Sequence, residues 1–296
     1  MGVRKGHNRP RMSDALGIDV GGSSVKIAAL RGGLPVWTAQ SRTYQNPEWD
    51  ELIRVMREAV SGREGCGQAV GVCVPGIRDA SGRKVTLSVN LPVLNGISIS
   101  NLAEQALGRT IPNLSICGDS VAAAYDLYAA RHLSGRLLGL ALGTGVGAAV
   151  LDDGVPLGVD GESCGHVGQF DCSIESEFVI GPDGGAGSLE GYIGVPALVA
   201  RYGPDVSATL ARLGPDDPPI RALARAIRIC HAIYCPDHII LTGGIGNRMS
   251  HLVDTLRTLV EKDLTRVARR GWTLACGDDD YHAARGAARL ADANWR

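Results

Sequence analysis

Ala15-Leu16-Gly17-Ile18-Asp19-Val20-Gly21-Gly22-Ser23-Ser24-Val25-Lys26-Ile27-Ala28-Ala29-Leu30 is the stretch on which the reading of this chain turns. An apolar run over residues 15–20 enters a glycine pair and leaves through a second apolar run over 25–30, the pattern of strand, tight turn and strand. Gly21 and Gly22 let the backbone turn without a Cβ in the way, so that amides and the hydroxyls of Ser23 and Ser24 are placed to face a phosphate. Taken alone, the turn fits a plain structural hairpin equally well. Asp19 is a candidate to anchor Mg²⁺ through water, since that ion prefers carboxylate and phosphate oxygens. Lys26 is a candidate to meet phosphate charge or to point into solvent.

The device returns in the second half. Residues 136–142 and 146–151 are apolar and bracket Gly143-Thr144-Gly145, with the Thr144 hydroxyl as an extra donor. Two such turns between apolar strands strengthen the case for phosphate binding and suggest a weak internal duplication.

Between and beyond them the pattern is mixed α/β. Residues 35–42 read as a third strand, and 49–60 as a helix with Leu52, Val55, Met56 and Val60 on one face. Residues 69–74 read as a buried strand ending at Pro75-Gly76, and 78–84 as a polar loop. Ser98 is placed to cap a helix reaching Leu107. Residues 113–117 form a strand that ends at Gly118-Asp119, and an Ala-rich helix follows over 120–131, so Asp119 stands where a strand hands over to a helix. Residues 152–191, rich in Gly, Asp and Ser, read as a functional loop region. Helices are expected over 195–202, 205–212, 219–234, 249–269 and 283–291. Strands are expected over 238–242, running into Gly243-Gly244, and over 272–276.

The 296 residues are long enough for two domains at roughly 150 residues each. With 45% hydrophobic and 21% charged residues and a net charge of −1, the chain has no broad basic field for nucleic acid. The basic residues Arg4, Lys5, Arg9 and Arg11 read as a disordered tail over 1–13. No apolar run has the ~18 residues of a membrane span and no signal-peptide pattern is present, so a cytoplasmic protein is expected. The eight cysteines lack CxxC spacing and read as buried, reduced thiols.

Gly17-Ile18-Asp19-Val20-Gly21-Gly22, Leu142-Gly143-Thr144-Gly145-Val146-Gly147 and Gly165-His166 together resemble the ROK family of sugar kinases and repressors. Val74-Pro75-Gly76, Asn90-Leu91-Pro92, Gly118-Asp119, Gly187-Ser188-Leu189-Glu190 and Leu241-Thr242-Gly243-Gly244 follow in the order of that family's sugar and nucleotide segments. The resemblance implies an α/β, two-lobed actin-like (ribonuclease-H-like) fold with an interlobe active site. The expected lobes are 14–120 with 283–296, and 121–282. It also implies an ATP- and Mg²⁺-dependent kinase acting on a hexose, usually at its 6-hydroxyl, and suggests a homodimer.

In this resemblance Asp119 matches the catalytic base, against the plain alternative of a helix N-cap. Glu190 and His166 match residues that bind ring hydroxyls, a carboxylate accepting from vicinal hydroxyls and an imidazole donating or accepting. Gly76 and Asn90 fall in sugar segments, although for Asn90 and Asn95 the turn reading is the stronger. Gly21, Gly22, Ser23, Lys26, Gly143, Thr144, Gly145, Gly243 and Gly244 are the expected nucleotide and phosphate residues.

Three departures stand out. Gly181, Asp183 and Ser188 occupy the positions of the family's zinc cysteines, so no zinc is expected, although Cys164 and Cys172 lie nearby. Gly118 replaces an Asn beside the catalytic Asp. Ser163 stands where a Glu precedes the Gly-His pair, with Glu162 one place earlier as a possible substitute. Both changes remove hydrogen-bonding groups from the acceptor pocket and point away from plain glucose. The alternative acceptors are an aminosugar of kanosamine type or a C7-cyclitol of valienone or valiolone type, as in antibiotic pathways.

A non-catalytic sugar-sensing regulator is the alternative of another class. The family's repressors carry a DNA-binding domain before the first turn, whereas 18 residues precede Asp19 here. Polyphosphate as donor would call for a long basic groove, for which Arg221, Arg225 and Arg228 are the available arginines. ATP is the expected donor.

Overall fold

The computed structural model describes residues 14–63, 67–161, 163–174, 177–182, 184–268 and 271–293. The expected tail over 1–13, together with Cys66, Glu162 and Asp183, lies outside the described residues. The opening stretch forms β1 (Asp14–Val20) and β2 (Val25–Arg31), an antiparallel pair joined by the glycine turn. β3 (Leu34–Gln40) extends the pair on one side. α1 (Trp49–Val60) leads to β4 (Ala69–Val74), which lies parallel to β1. After the small hairpin β5 (Ile77–Arg78) and β6 (Val85–Leu87) comes α2 (Ile99–Leu107), and β7 (Leu114–Gly118) then adds parallel to β4. The sheet order is β3-β2-β1-β4-β7.

Helix α3 (Asp119–Ala130) carries the chain to a second sheet built on the same plan. β8 (Arg136–Leu142) and β9 (Val146–Asp152) enclose the second glycine turn, and β10 (Val155–Pro156) pairs with β9. The short helices α4 (Leu189–Ile193), α5 (Val195–Tyr202) and α6 (Val206–Leu210) precede the long α7 (Pro218–Tyr234). β11 (His238–Thr242) runs into α8 (Gly243–Gly246), and α9 (Val253–Asp263), β12 (Thr273–Cys276) and α10 (His282–Asp292) complete the chain. The second order, β10-β9-β8-β11-β12, repeats the first strand for strand. The duplication suggested by two glycine turns therefore extends to whole sheets, giving the two-lobed actin-like, ribonuclease-H-like fold.

Each half has its own apolar core. Leu16, Ile18, Val20 and Ile27 pack with Leu52, Met56 and Leu102 in the first half, and Leu138, Leu140, Ile227, Ile239 and Leu241 pack together in the second. Between the sheets lie α3 and α10. α10 packs on β1, β2 and β4, and α3 packs on β8, β9 and α10. Glycines set how close these layers come. Gly17 and Gly71 are register partners on β1 and β4, and a Cβ on either would fall 1.8 Å from the Ala284 carbonyl oxygen or 1.9 Å from that of Ala287. Gly286 of α10 meets the Ala122 carbonyl of α3 in the same way, at 1.8 Å. No side chain fits at these three contacts, so backbone meets backbone.

A buried ionic cluster ties α3 to α10. Asp126 is 0% exposed, with Arg285 Nε donating to its Oδ2 at 2.9 Å and Arg289 Nε to its Oδ1 at 2.7 Å. His282 Nδ1 lies 2.8 Å from Oδ2. Burial would push the Asp126 carboxyl up, but the His282 hydrogen bond and the two guanidiniums outweigh it and hold the pKa below the usual range.

Two segments differ from expectation. The predicted loop 78–84 sits inside the β5–β6 hairpin, closed by Asp79, whose Oδ1 accepts from the Ser81 hydroxyl and from the Arg83 and Lys84 amides. The predicted helix over 249–269 is shorter. A 3-10 turn occupies Ser250–Leu252, and α9 ends at Asp263 with Leu264 in an extended conformation. Leu264 still packs against the core, but residues 265–267 are exposed, Val267 by 94%. The thiols of Cys73, Cys117, Cys164, Cys172 and Cys230 are buried, and these, Cys235 and Cys276 are all free. Among the described residues no helix is long and apolar enough to cross a membrane.

Candidate active site

A lateral row of residues underlies the site. Gln40, Lys26, Asp19, Cys73 and Cys117 are successive register partners across β3, β2, β1, β4 and β7. Asp19 is 7% exposed and accepts from the Cys73 thiol at 3.5 Å. Burial pushes its carboxyl up to about 6, with Lys26 opposing the shift and the charge of Asp119 adding to it. A desolvated carboxylate beside a second carboxylate is a place where a divalent cation would relieve electrostatic cost, so the residues here fit Mg²⁺.

Asp119 follows the last residue of β7 and is the first residue of α3. Gly118 holds the N-cap position, so Asp119 is not the cap. Its Oδ1 accepts from the Ser120 amide at 2.7 Å and from the Ser120 hydroxyl at 3.2 Å. Burial raises its pKa, while those two bonds and the guanidinium of Arg78 pull the other way. A carboxyl lifted above its ordinary range is better matched to accepting a hydroxyl proton near neutral pH.

Asp119 opens onto a cavity of about 1400 Å³ between the two halves. This exceeds the ~300–1,000 Å³ of an ordinary small-ligand pocket. Gly76, Asn90, Gly118, Ser163, His166 and Glu190, six of the seven residues expected to bind the acceptor, line it with Asp119. Glu162, the seventh, is outside the described residues. Glu190 lies in the first turn of α4, a helix capped by the Ser188 hydroxyl, which accepts from the Gly191 amide. Its Oε2 accepts from the Val146 amide at 2.9 Å, which pins the carboxylate to the start of β9. His166 is exposed at the cavity wall, and the Ser163 hydroxyl accepts from the Gly165 amide at 3.1 Å. Asn95 is a turn residue: its carbonyl oxygen accepts the Ser88 amide at 2.6 Å.

None of the expected phosphate residues lines this cavity, but Gly22 and Gly145 approach residues that do. A Cβ on Gly22 would sit 3.2 Å from the Asn90 carbonyl oxygen, and one on Gly145 would sit 2.9 Å from Glu190 Oε2. Within the turns, Gly21 N–H donates to Ser24 O and Gly143 N–H to Gly145 O, bonds that do not use the amides of Gly22, Ser23 or Thr144. Ser23 and Thr144 are exposed. Ser24 departs from expectation, for it is buried and its hydroxyl accepts from Gln40 Nε2. Lys26 lies near both Asp19 and Asp280. Gly243, at φ +80°, presses on the end of β8, while Arg248 bridges the Gly244 carbonyl and Asp280. Among the described residues no group of three or more His, Cys, Asp or Glu side chains is placed to hold a metal ion.

Sequence reasoning missed two residues. Tyr44 clasps the first glycine turn, its hydroxyl donating to the Gly21 carbonyl and its amide to Ser23 O. Nothing in the loop before α1 signalled this. Arg78 lines the cavity beside Asp119, and its only signal was a charge two residues beyond the Pro75-Gly76 strand end.

Known proteins resemble this one along most of its length. The ROK family model matches residues 15–213. An N-acetyl-D-glucosamine kinase of Photobacterium profundum is 28% identical over 170 residues, an alignment spanning 56% of this chain and 55% of that protein. The N-acetyl-D-glucosamine kinase of Yersinia enterocolitica is 24% identical over 305 residues, covering 93% of this chain and 98% of its own. The ROK family glucokinase of Streptomyces griseus, solved with glucose and AMPPNP, superposes with a TM-score of 0.75 at 19% identity, covering 95% and 99% of the two chains. With the family model spanning two thirds of its length and the doubled sheet in place, the chain belongs to the ROK family.

Proposed function

We propose that this protein is an ATP-dependent carbohydrate kinase that phosphorylates a primary hydroxyl, of the 6-position type, on a hexose or sugar-like acceptor. The observation that carries the reading is the convergence of Asp119, His166 and Glu190 on one cavity flanked by both glycine turns. In this reading Asp119 accepts the acceptor's hydroxyl proton and aims its oxygen, while Glu190 and His166 hold ring hydroxyls. Gly22, Ser23, Thr144 and Gly145 offer amides and hydroxyls to the nucleotide phosphates, and Lys26 adds positive charge. Asp19 would hold Mg²⁺ through water, and the ion would supply charge neutralisation for the transferring phosphoryl group. The lobes, residues 14–120 with 283–296 and residues 121–282, would close over both substrates.

A second reading of the acceptor is favoured by one feature. Gly118 brings no side chain to the wall beside Asp119, and the Ser163 hydroxyl is already engaged with the Gly165 amide. A pocket so altered suits an unusual aminosugar or C7-cyclitol better than glucose. ADP release with ATP and Mg²⁺, measured across glucose, glucosamine, N-acetylated hexosamines and C7-cyclitols, tests both readings. Turnover should appear on at least one acceptor, and Asp119→Asn should abolish it while nucleotide still binds. Full turnover by Asp119→Asn would refute the assignment of the base, and glucose as the best acceptor would refute the second reading.

A further inference from the structure

We infer that Ser120 is a positioning residue for phosphoryl transfer: its amide and hydroxyl hold Asp119 by one carboxylate oxygen, and its hydroxyl is seated against Gly147, so the base keeps a fixed place relative to the second glycine turn. The inference rests on the kinase reading and deepens it at the same site.

Local geometry supplies the first half. Asp119 and Ser120 open α3, and both line the cavity. Asp119 Oδ1 accepts from the Ser120 amide at 2.7 Å and from the Ser120 hydroxyl at 3.2 Å. The last side-chain torsion of an aspartate is intrinsically loose, and two donors converging on one oxygen restrain it.

Tertiary packing supplies the second half. A Cβ on Gly147 would fall 2.1 Å from Ser120 Oγ, so the hydroxyl fills the space that a side chain at 147 would take. Gly147 lies on β9, two residues beyond the turn glycine Gly145. The acceptor carboxylate is referred to the same stretch. Glu190 Oε2 accepts from the Val146 amide, and a Cβ on Gly145 would lie 2.9 Å from that oxygen. Gly145-Val146-Gly147 thus carries the end of the phosphate turn, the anchor of Glu190 and the seat of Ser120 in three consecutive residues.

Chemistry gives this arrangement a purpose. In the transfer the acceptor's hydroxyl proton passes to Asp119 Oδ2 and the acceptor oxygen bonds to the γ-phosphorus. The bond from that phosphorus to the β–γ bridging oxygen breaks, and its electron pair leaves on ADP. Both Ser120 bonds go to Oδ1, which leaves Oδ2 for the proton. A misplacement of about 1 Å costs on the order of 100-fold in rate, so a base free to swing loses turnover without losing affinity for either substrate.

The test uses the full-length protein with ATP and Mg²⁺ on the best acceptor among glucose, glucosamine, N-acetylated hexosamines and C7-cyclitols. The variants are Ser120→Ala, Ser120→Thr, Gly147→Ala and the double variant Ser120→Ala/Gly147→Ala, each also followed by thermal melting. Ser120→Ala should lower kcat about tenfold or more with both KM values within about twofold. Ser120→Thr keeps the hydroxyl and should recover most of that loss. Gly147→Ala should lower both kcat and the melting temperature, because its new Cβ meets the hydroxyl. In the double variant that Cβ faces only the Cβ of residue 120, at 3.4 Å, so the melting temperature should return toward that of Ser120→Ala while kcat stays low. An unchanged kcat in Ser120→Ala would overturn the inference and leave the kinase reading standing. So would a loss confined to KM, no recovery in Ser120→Thr, or melting losses that simply add in the double variant. Absence of turnover by the wild-type protein on every acceptor would overturn the kinase reading itself, and this inference with it.

Discussion

The hydroxyl of Tyr44 donates to the carbonyl of Gly21, and the Tyr44 amide donates to Ser23 O at 2.9 Å, so one residue of a distant loop holds the first glycine turn at two points. Burial pushes the Tyr44 hydroxyl well above its ordinary pKa, and the neighbouring charge of Asp19 adds to the shift, so it stays a donor. A hydrogen bond of this kind is worth about 1 kcal/mol net, and an unsatisfied buried carbonyl costs ~1–3 kcal/mol. Tyr44→Phe keeps the ring and removes the clasp. KM for ATP should rise roughly five- to tenfold with acceptor KM unchanged, and initial-rate kinetics with each substrate varied will show it. An unaltered KM for ATP would mean that the turn holds its shape without the clasp.

Glu190 is fixed by the Val146 amide through Oε2. Glu190→Gln retains a carbonyl oxygen for that amide but removes the charge offered to acceptor hydroxyls. A hydrogen bond to a charged group contributes about 1.5–3 kcal/mol, so acceptor KM should rise on the order of 10- to 100-fold. The melting temperature should change little. Equal acceptor KM in variant and wild type would remove Glu190 from the acceptor site.

The Asp126 cluster sets an acid limit on stability. Because the folded-state pKa lies below the ordinary value, the carboxylate contributes stability above the unfolded pKa of about 3.9, and this is lost as pH falls through the lower folded value. Asp126→Asn leaves Arg285 and Arg289 without their buried counter-charge, at a cost of about 3–5 kcal/mol at neutral pH. Denaturant unfolding at pH 7 should show this difference, and the gap between variant and wild type should narrow below about pH 4. A constant gap at all pH values would assign the loss to packing instead.

Close backbone packing makes a different demand at Gly71. A Cβ there would lie 1.9 Å from the Ala287 carbonyl oxygen, so Gly71→Ala must push α10 off the sheet. The cost should reach the upper end of overpacking, about 3 kcal/mol or more. Gly62→Ala is the control, for Gly62 has φ +75° with nothing within 4 Å of a new Cβ. Only the left-handed backbone is penalised there, by about 1 kcal/mol. Comparable unfolding midpoints for the two variants would contradict the close-packing account.

Local patterning was legible from the chain because its causes are local. Alternating apolar runs around glycine pairs specify β1–β2 and β8–β9, the Ser98 hydroxyl accepts the Asn101 amide as a cap should, and a strand handing over to a helix places Asp119 at the head of α3. The two-lobed fold and the candidate acceptor residues Asn90, His166 and Glu190 came instead from the resemblance of these motifs, taken in order along the chain, to the ROK family. Tertiary structure alone decided which distant residues serve these motifs. Tyr44 clasps Gly21 from 23 positions away, Val146 fixes Glu190 across 44, and Asp126 meets Arg285 across 159. Arg78 reaches the wall beside Asp119 only because β4 and β7 end side by side. Periodicity records which face of an element is apolar, whereas such contacts depend on how two finished sheets and their crossing helices stack, and no short window of sequence contains that geometry.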